Sequence, residues 1–174
     1  RSSLVTGVQT CALPISQLPE IKQLTEACAH SLQQLGIFQW NENYPSLNRL
    51  QQDIDNEELY VFMEQDEVLG IVALSTQMDE VYNPVNWLTK TTKHLYVHRL
   101  AVRPDKWGRG IATNLMDFAE NFAQTLGCNS IRLDTFSQNK RNQKFYDARG
   151  YFKLEDIYFP EKSEHPFHCY ELIL

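Results

Sequence analysis

Apolar residues recur at three- and four-residue intervals near the start of the chain: Leu18, Ile21, Leu24, Cys28, Leu32 and Leu35. That spacing lays one apolar stripe along a helix, and Gly36 supplies a stop. The pattern predicts a first helix over 17–35. A shorter one is expected over 46–55, with Ser46, after Pro45, placed to cap it. The period then changes. Two β-rich runs in "LYVFMEQDEVLGIVALSTQM" flank Gln65, Asp66 and Glu67, which reads as a hairpin. Residues 79–92 carry Pro84 and Trp87 and read as a loop. "KHLYVHRLAV" is a third strand, stopped by Pro104. Ile111, Leu115, Phe118, Ala119, Phe122 and Leu126 restore a helical stripe, which Gly127 ends. A strand "SIRLDTF", a helix over 139–149 closed by Gly150, and two strands in "YFKLEDIYF" and "FHCYELIL" complete the chain.

Consecutive strands imply antiparallel pairing, and the strand–helix–strand unit around residue 110 implies a parallel crossover. The fold class is therefore α/β, with a mixed, mostly antiparallel sheet flanked by helices. No repeat, low-complexity run or linker interrupts 16–174, which reads as a single domain of ordinary size.

Composition changes this picture little. The chain is 43% apolar and 22% charged, enough for a core. A formal net charge of −6 argues against general nucleic-acid binding. No apolar run approaches the roughly 20 residues of a membrane span. Neither nucleic acid nor membrane is expected as a partner, in a cytoplasmic protein whose oligomeric state is open. Cys11, Cys28, Cys128 and Cys169 have no paired zinc spacing. Cys28, Cys128 and Cys169 read as buried free thiols, and no metal is expected.

The first fifteen residues fit poorly with the rest. A secretory leader needs an unbroken apolar core of about 7–15 residues, and Thr6, Gly7, Gln9 and Thr10 break this one. Val5–Ile15, "VTGVQTCALPI", resembles a translated sequencing-library adapter. Residues 1–15 are therefore expected to be a non-native scar, with native sequence from near Ser16 and the native first strand missing.

The segment "RPDKWGRGIAT", between a strand and a helix, carries the most chemistry. Glycines there let backbone N–H groups approach an anion, and the helix N-terminus adds favourable partial charge. A Walker loop needs Gly-Lys-Ser/Thr after its four-residue gap; Gly110 is followed by Ile111 and Ala112. A dinucleotide fingerprint needs a third glycine where Thr113 stands, although Asp134 lies at a suitable distance. It would also open its domain, and here three strands come first.

The chain resembles the GNAT superfamily of N-acetyltransferases. The acetyl-CoA motif of that family, Gln/Arg-x-x-Gly-x-Gly/Ala, aligns with Trp107-Gly108-Arg109-Gly110-Ile111-Ala112, with Trp107 departing at the first place. A second motif, Asn-x-x-Ala-x-x-Phe-Tyr followed by Gly-Phe/Tyr, aligns with Asn139, Asn142, Phe145, Tyr146, Gly150 and Tyr151. Only Asn142 departs, at the Ala place. The resemblance covers 16–174 and implies the GNAT (acyl-CoA N-acyltransferase) fold.

It also implies roles. Acetyl-CoA would be the acyl donor, attacked directly by a primary amine in a ternary complex. Gly108–Thr113 would cradle it, with Arg103, Lys106, Arg109, Lys140, Arg141 and Lys144 as a local basic set. Leu100, Ala101 and Val102 would offer backbone to its pantetheine arm and thioester. Asn139 would orient cofactor or backbone. Tyr146 stands at the place of the general acid; a helix tyrosine packed in the core is the other reading. His98 is either the base or a structural histidine, with Glu42, Glu58 and Glu171 as lesser candidates. Trp40, Glu42 and Tyr44 would line the acceptor. A non-catalytic acyl-CoA sensor on the same fold is the alternative function.

Overall fold

The computed structural model describes residues 7–10 and 17–174. In chain order the elements are β1 Gly7–Thr10, α1 Leu18–Gln34, α2 Leu47–Asp55, β2 Leu59–Glu64, β3 Glu67–Ser75, β4 His94–Val102, α3 Ile111–Thr125, β5 Ser130–Phe136, α4 Lys140–Ala148, β6 Phe152–Ile157 and β7 Phe167–Ile173. The described strands form one mixed sheet, ordered β1-β2-β3-β4-β5-β7-β6. The expected α/β class and mostly antiparallel pairing hold. The loop over 79–92 contains one short 3-10 turn, Glu80–Tyr82. No helix among the described residues is long and apolar enough to cross a membrane.

Gly7–Thr10, within the segment expected to be a scar, forms an edge strand that pairs antiparallel with β2, Gly7 opposite Met63 and Thr10 opposite Tyr60. A sheet edge offers backbone donors and acceptors that any extended segment can satisfy, so pairing asks little of the side chains. The rest of the 1–15 segment lies outside the described residues.

The chain divides into two compact units. The first comprises the described residues up to Leu74 together with Arg99–Ala119. Its core joins Ile21, Leu24 and Cys28 of α1 and Leu50 of α2 to Leu59, Val61, Val68 and Ile71 of the β2–β3 hairpin. Ser46 caps α2 as expected, its hydroxyl accepting from the Arg49 N–H at 3.1 Å. Gln65 and Asp66 turn the hairpin with φ of 50° and 66°, the left-handed pair that a two-residue turn requires. A Cβ on Gly70 would lie 3.0 Å from Ile111 and Leu115 side-chain carbons and 3.1 Å from the Ala101 oxygen. That missing side chain lets the first turn of α3 settle directly on β3.

The second unit comprises Ser75–His98 and Glu120–Leu174. Here β4 pairs in parallel with β5 over His94–Tyr96, opposite Ser130–Arg132. Then β5 runs antiparallel to β7 along its whole length, and β7 carries β6 on its other side. Leu95, Ile131, Leu133, Tyr170 and Ile157 are buried on these strands.

Candidate active site

In the first unit, β4 ends at Val102 and the chain turns through Pro104–Lys106 into the glycine segment. The Val102 carbonyl fixes this corner. It accepts from the Trp107 Nε1–H at 2.8 Å and from the Cys28 thiol at 3.0 Å. Both acceptor positions of that oxygen are therefore engaged by the protein. Trp107, the departure from the family motif, is thus an anchor for the turn. Burial drives the Cys28 thiol up to about 12, against the pull of that carbonyl contact, so it stays protonated.

Gly108 and Gly110 have φ of 81° and 79°, and a Cβ built on either meets no atom within 4 Å. Backbone conformation demands glycine at both, and the space a side chain would take is open. Immediately after them α3 begins, and the first N–H groups of a helix have no intrahelical acceptor. The Asn114 side chain and N–H close the turn on the Gly110 oxygen at 2.9 and 3.0 Å. The arrangement fits a phosphate-bearing ligand. Ile111 is buried, Ala112 half-buried and Thr113 exposed. Around it, Arg109 reaches Glu64 at 3.2 Å, Arg103 reaches Asp105 and Glu67 at 2.8 and 3.1 Å, and Lys106 lies 3.8 Å from Asp105. Such exposed pairs hold little energy and yield readily to a phosphate.

Of the residues expected to bind the donor, Leu100–Val102, Arg103, Lys106 and Trp107–Thr113 fall in this unit, and Asn139, Lys140, Arg141 and Lys144 fall in the second. Leu100 is half-buried and Ala101 and Val102 are buried. Trp40, Glu42 and Tyr44 lie between α1 and α2. The Asn41 side chain turns the chain there by accepting from the Asn43 and Tyr44 N–H groups at 2.8 and 3.0 Å. Trp40 packs against the core and meets Tyr44 edge to face, their centroids 6.4 Å apart; Glu42 is exposed.

Sequence reasoning missed Arg99 and Asp53. Arg99 sits inside β4 with a φ of 50°. Its Nε and Nη2 donate to the two Asp53 carboxylate oxygens at 2.6 and 2.8 Å, and its Nη1 reaches the Tyr44 hydroxyl at 3.5 Å. Asp53, fully buried, also takes Arg49 at 3.0 Å. A signal existed: Asp53 falls between Leu50 and Ile54 on the apolar side of α2.

In the second unit, Tyr146 is buried in α4. The rings of Phe145, Tyr151 and Tyr170 surround it, with centroids 5.3, 5.7 and 5.9 Å away. Burial pushes its phenol well above the ordinary value, the charge of Asp134 adds to this, and Arg149 opposes it. Asn139 caps α4, its side-chain oxygen accepting from the Asn142 N–H at 3.1 Å.

His98 places Nε2 3.9 Å from the Asp79 carboxylate and stacks on the Tyr82 ring, centroids 6.3 Å apart. Tyr82 also stacks on Tyr96 at 5.8 Å and donates its hydroxyl to Asp134. Tyr82 was not identified from sequence, because it lies in a loop with no periodicity, and Asp134 was noted only as the acid of a dinucleotide fingerprint that Thr113 breaks. Glu171 is fully buried and takes the Ser130 hydroxyl, the Leu88 N–H, the Thr89 hydroxyl and Arg132. Those contacts describe a carboxylate that holds structure.

Comparisons with known proteins agree with this fold. A crystal structure of a GNAT-family acetyltransferase from Streptococcus agalactiae is 22% identical, covers 99% of each chain and superposes with a TM-score of 0.80. One from Listeria monocytogenes is 19% identical, covers 99% of this chain and 97% of the other, and has a TM-score of 0.75. The PaiA N-acetyltransferase of Thermoplasma acidophilum, solved with coenzyme A, is 16% identical over 97% of this chain and 99% of its own, with a TM-score of 0.68. A search of curated proteins finds no match. The model of the acetyltransferase (GNAT) family matches residues 20–151, from α1 through the glycine turn to the end of the α4 motif. The chain is thus a member of the GNAT family of acetyltransferases, which move an acyl group from acyl-CoA to an amine.

Proposed function

We propose that this N-acetyltransferase transfers an acetyl group from acetyl-CoA to a primary amine of a small molecule or protein, by direct attack in a ternary complex. The observation that carries the reading is the glycine turn: two positive-φ glycines with open space above them, opening directly into α3. Acetyl-CoA would supply an activated thioester. The N–H groups of Gly108–Thr113 hold its phosphates, aided by Arg109. Leu100, Ala101 and Val102 face its pantetheine arm with main chain, and one N–H there stabilises negative charge on the carbonyl oxygen as it develops.

An alkylammonium group ionises near pH 10 and must shed a proton before it can attack. His98 takes that proton, and Asp79 stabilises the imidazolium. Trp40, Glu42 and Tyr44 flank the amine with ring face and carboxylate. Tyr146 assists the departing thiolate. A phenol held so far above its ordinary value surrenders its proton reluctantly, so its help is a donated hydrogen bond and the thiol proton comes finally from solvent. Asn139 sets the start of α4 and so the position of Tyr146. The buried free thiols of Cys28, Cys128 and Cys169 support a reducing, cytoplasmic setting.

A thermal-shift titration with acetyl-CoA, with NADH and ATP as controls, tests the donor. At 100 times the dissociation constant a specific ligand adds about 2.7 kcal/mol of stability. A shift with acetyl-CoA alone is expected, and Gly110→Val should abolish it. No shift in a chain that melts cooperatively would remove the acyl-CoA reading. Tyr146→Phe should lower kcat by about 100-fold, the loss of one donor to developing charge, while the affinity for acetyl-CoA stays within about twofold. Undiminished turnover would take Tyr146 out of the mechanism.

A further inference from the structure

A non-glycine residue with left-handed backbone in the middle of a strand is uncommon and unfavourable, and it persists only where its surroundings hold it. Arg99 is such a residue, with a φ of 50° at the sixth position of the nine-residue β4. It breaks the alternation of the strand, as a bulge does. Residues 98–100 are the half-buried stretch of a strand otherwise buried at both ends. What holds the conformation is visible. The Arg99 side chain is 5% exposed and grips the Asp53 carboxylate with two parallel donors. A bidentate guanidinium–carboxylate contact fixes direction as well as distance. Asp53 cannot drift, because it is fully buried on α2 and is held from the other side by Arg49 at 3.0 Å. The third Arg99 nitrogen reaches Tyr44, on the loop before α2. One side chain thus ties the strained point of β4 to α2 and to the wall that Trp40, Glu42 and Tyr44 form.

We propose that the Asp53–Arg99 pair is a positioning device, which holds β4 in its left-handed turn and so aims the main chain of Arg99–Ala101 at the donor's thioester carbonyl. The inference rests on the acyl-CoA reading above. Asp53 and Arg99 touch no reacting atom; they act through the backbone between them and Leu100. The need for an arginine there follows from the geometry. Lysine lacks the planar fork. Glycine would adopt the conformation freely but would not be held in it.

The test separates backbone conformation from simple loss of the ion pair. Arg99→Ala and Arg99→Gly both leave Asp53 without its fork. Only glycine still accepts a positive φ without strain. Calorimetric binding of acetyl-CoA and of CoA to the wild type and to each variant gives the ratio of the two dissociation constants, CoA over acetyl-CoA. The ratio isolates recognition of the acetyl carbonyl from recognition of the phosphates. It is expected to fall about tenfold in Arg99→Ala and by less than about threefold in Arg99→Gly, the difference matching the cost of a left-handed non-glycine residue. kcat should follow the same order, wild type above Arg99→Gly above Arg99→Ala. Equal losses in the two variants, or an unchanged ratio in Arg99→Ala, would overturn the proposal. Asp53→Asn, which keeps the size of the side chain, should lower the ratio as Arg99→Ala does and serves if the alanine variant does not fold; an unchanged ratio there overturns the proposal equally. Wild-type protein that binds neither molecule would instead overturn the acyl-CoA reading, and the inference with it.

Discussion

Asp53 with Arg99 and Glu171 with Arg132 are one chemical pair in two settings. Both carboxylates are fully buried, and both guanidinium side chains are 5% exposed. Among the described residues, Asp53, in the first unit, is met by arginines alone. Glu171, in the second, is met by Arg132 at 3.1 Å and also by neutral donors, the Ser130 hydroxyl and the Leu88 N–H at 2.6 Å and the Thr89 hydroxyl. Their acidities move in opposite directions. Burial pushes the Asp53 carboxyl up, against the pull of Arg99 and Arg49. Burial works the same way on Glu171, yet donation from Ser130, Thr89, Leu88 and Arg132 holds it below the ordinary value. A carboxylate taken out of water loses several hydrogen bonds. Glu171 regains four, three of them from neutral donors, whereas Asp53 regains those its arginines supply.

The surroundings differ to match. Arg132 continues outward to the Tyr96 hydroxyl at 3.1 Å and the Thr89 carbonyl at 2.8 Å, and lies over the Trp87 ring 4.6 Å from its centroid. His94 joins through Ser130 at 2.9 Å. This network pins the loop around Trp87–Thr89 to β5 and β7. The Asp53 pair spends its geometry on one strained residue of β4.

The largest break in this comparison is Glu171→Ala. It leaves Arg132 buried without its carboxylate and should cost about 3–5 kcal/mol in denaturant unfolding. A loss under about 1 kcal/mol would show that the network carries little stability.

Acid titration of stability gives a smaller effect with a sign. Glu171 has a lowered folded value, so its contribution is complete above the ordinary carboxylate range and is lost as pH falls through that folded value. Asp53 has a raised one, so its contribution is present below the ordinary value and is lost as pH rises through the folded value. Between about pH 3 and 6, Glu171→Gln should flatten the fall of stability on acidification, and Asp53→Asn should steepen it. Slopes changing in the same direction would contradict the contrast.

The smallest effect compares partners. Thr89→Val removes one neutral donor from Glu171, and Arg49→Ala removes one half-exposed charge from Asp53; each should cost about 1 kcal/mol. If neutral donors are what hold a buried carboxylate charged, the loss at Thr89 is the greater of the two. The reverse order would return the weight to charge.

Much of the molecule was legible beforehand, and the reasons are local. The stripe from Leu18 to Leu35 follows the period of a helix, and α1 forms there. Gln65 and Asp66 mark the hairpin, and Gly108 and Gly110 mark the turn into α3, because a positive φ restricts which residues can stand there. The Asn139–Tyr146 motif fell on α4 with its cap in place. Asp53 and Arg99 were not singled out, and Glu171 stood only as a lesser candidate for the base. Tyr82 stood in a loop without a period.

By itself, the sequence determined the order of the elements, the core-facing residues, the glycine turn and the family, since periodicity, capping and backbone conformation are properties of neighbours in the chain. Only the tertiary structure decided the partners of Asp53, Arg99, Glu171, Arg132 and Asp134. Asp53 and Arg99 are 46 residues apart and Thr89 and Glu171 are 82. Their hydrogen bonds and altered acidities exist because the packed sheet removes water from them, and no spacing along the chain encodes that removal.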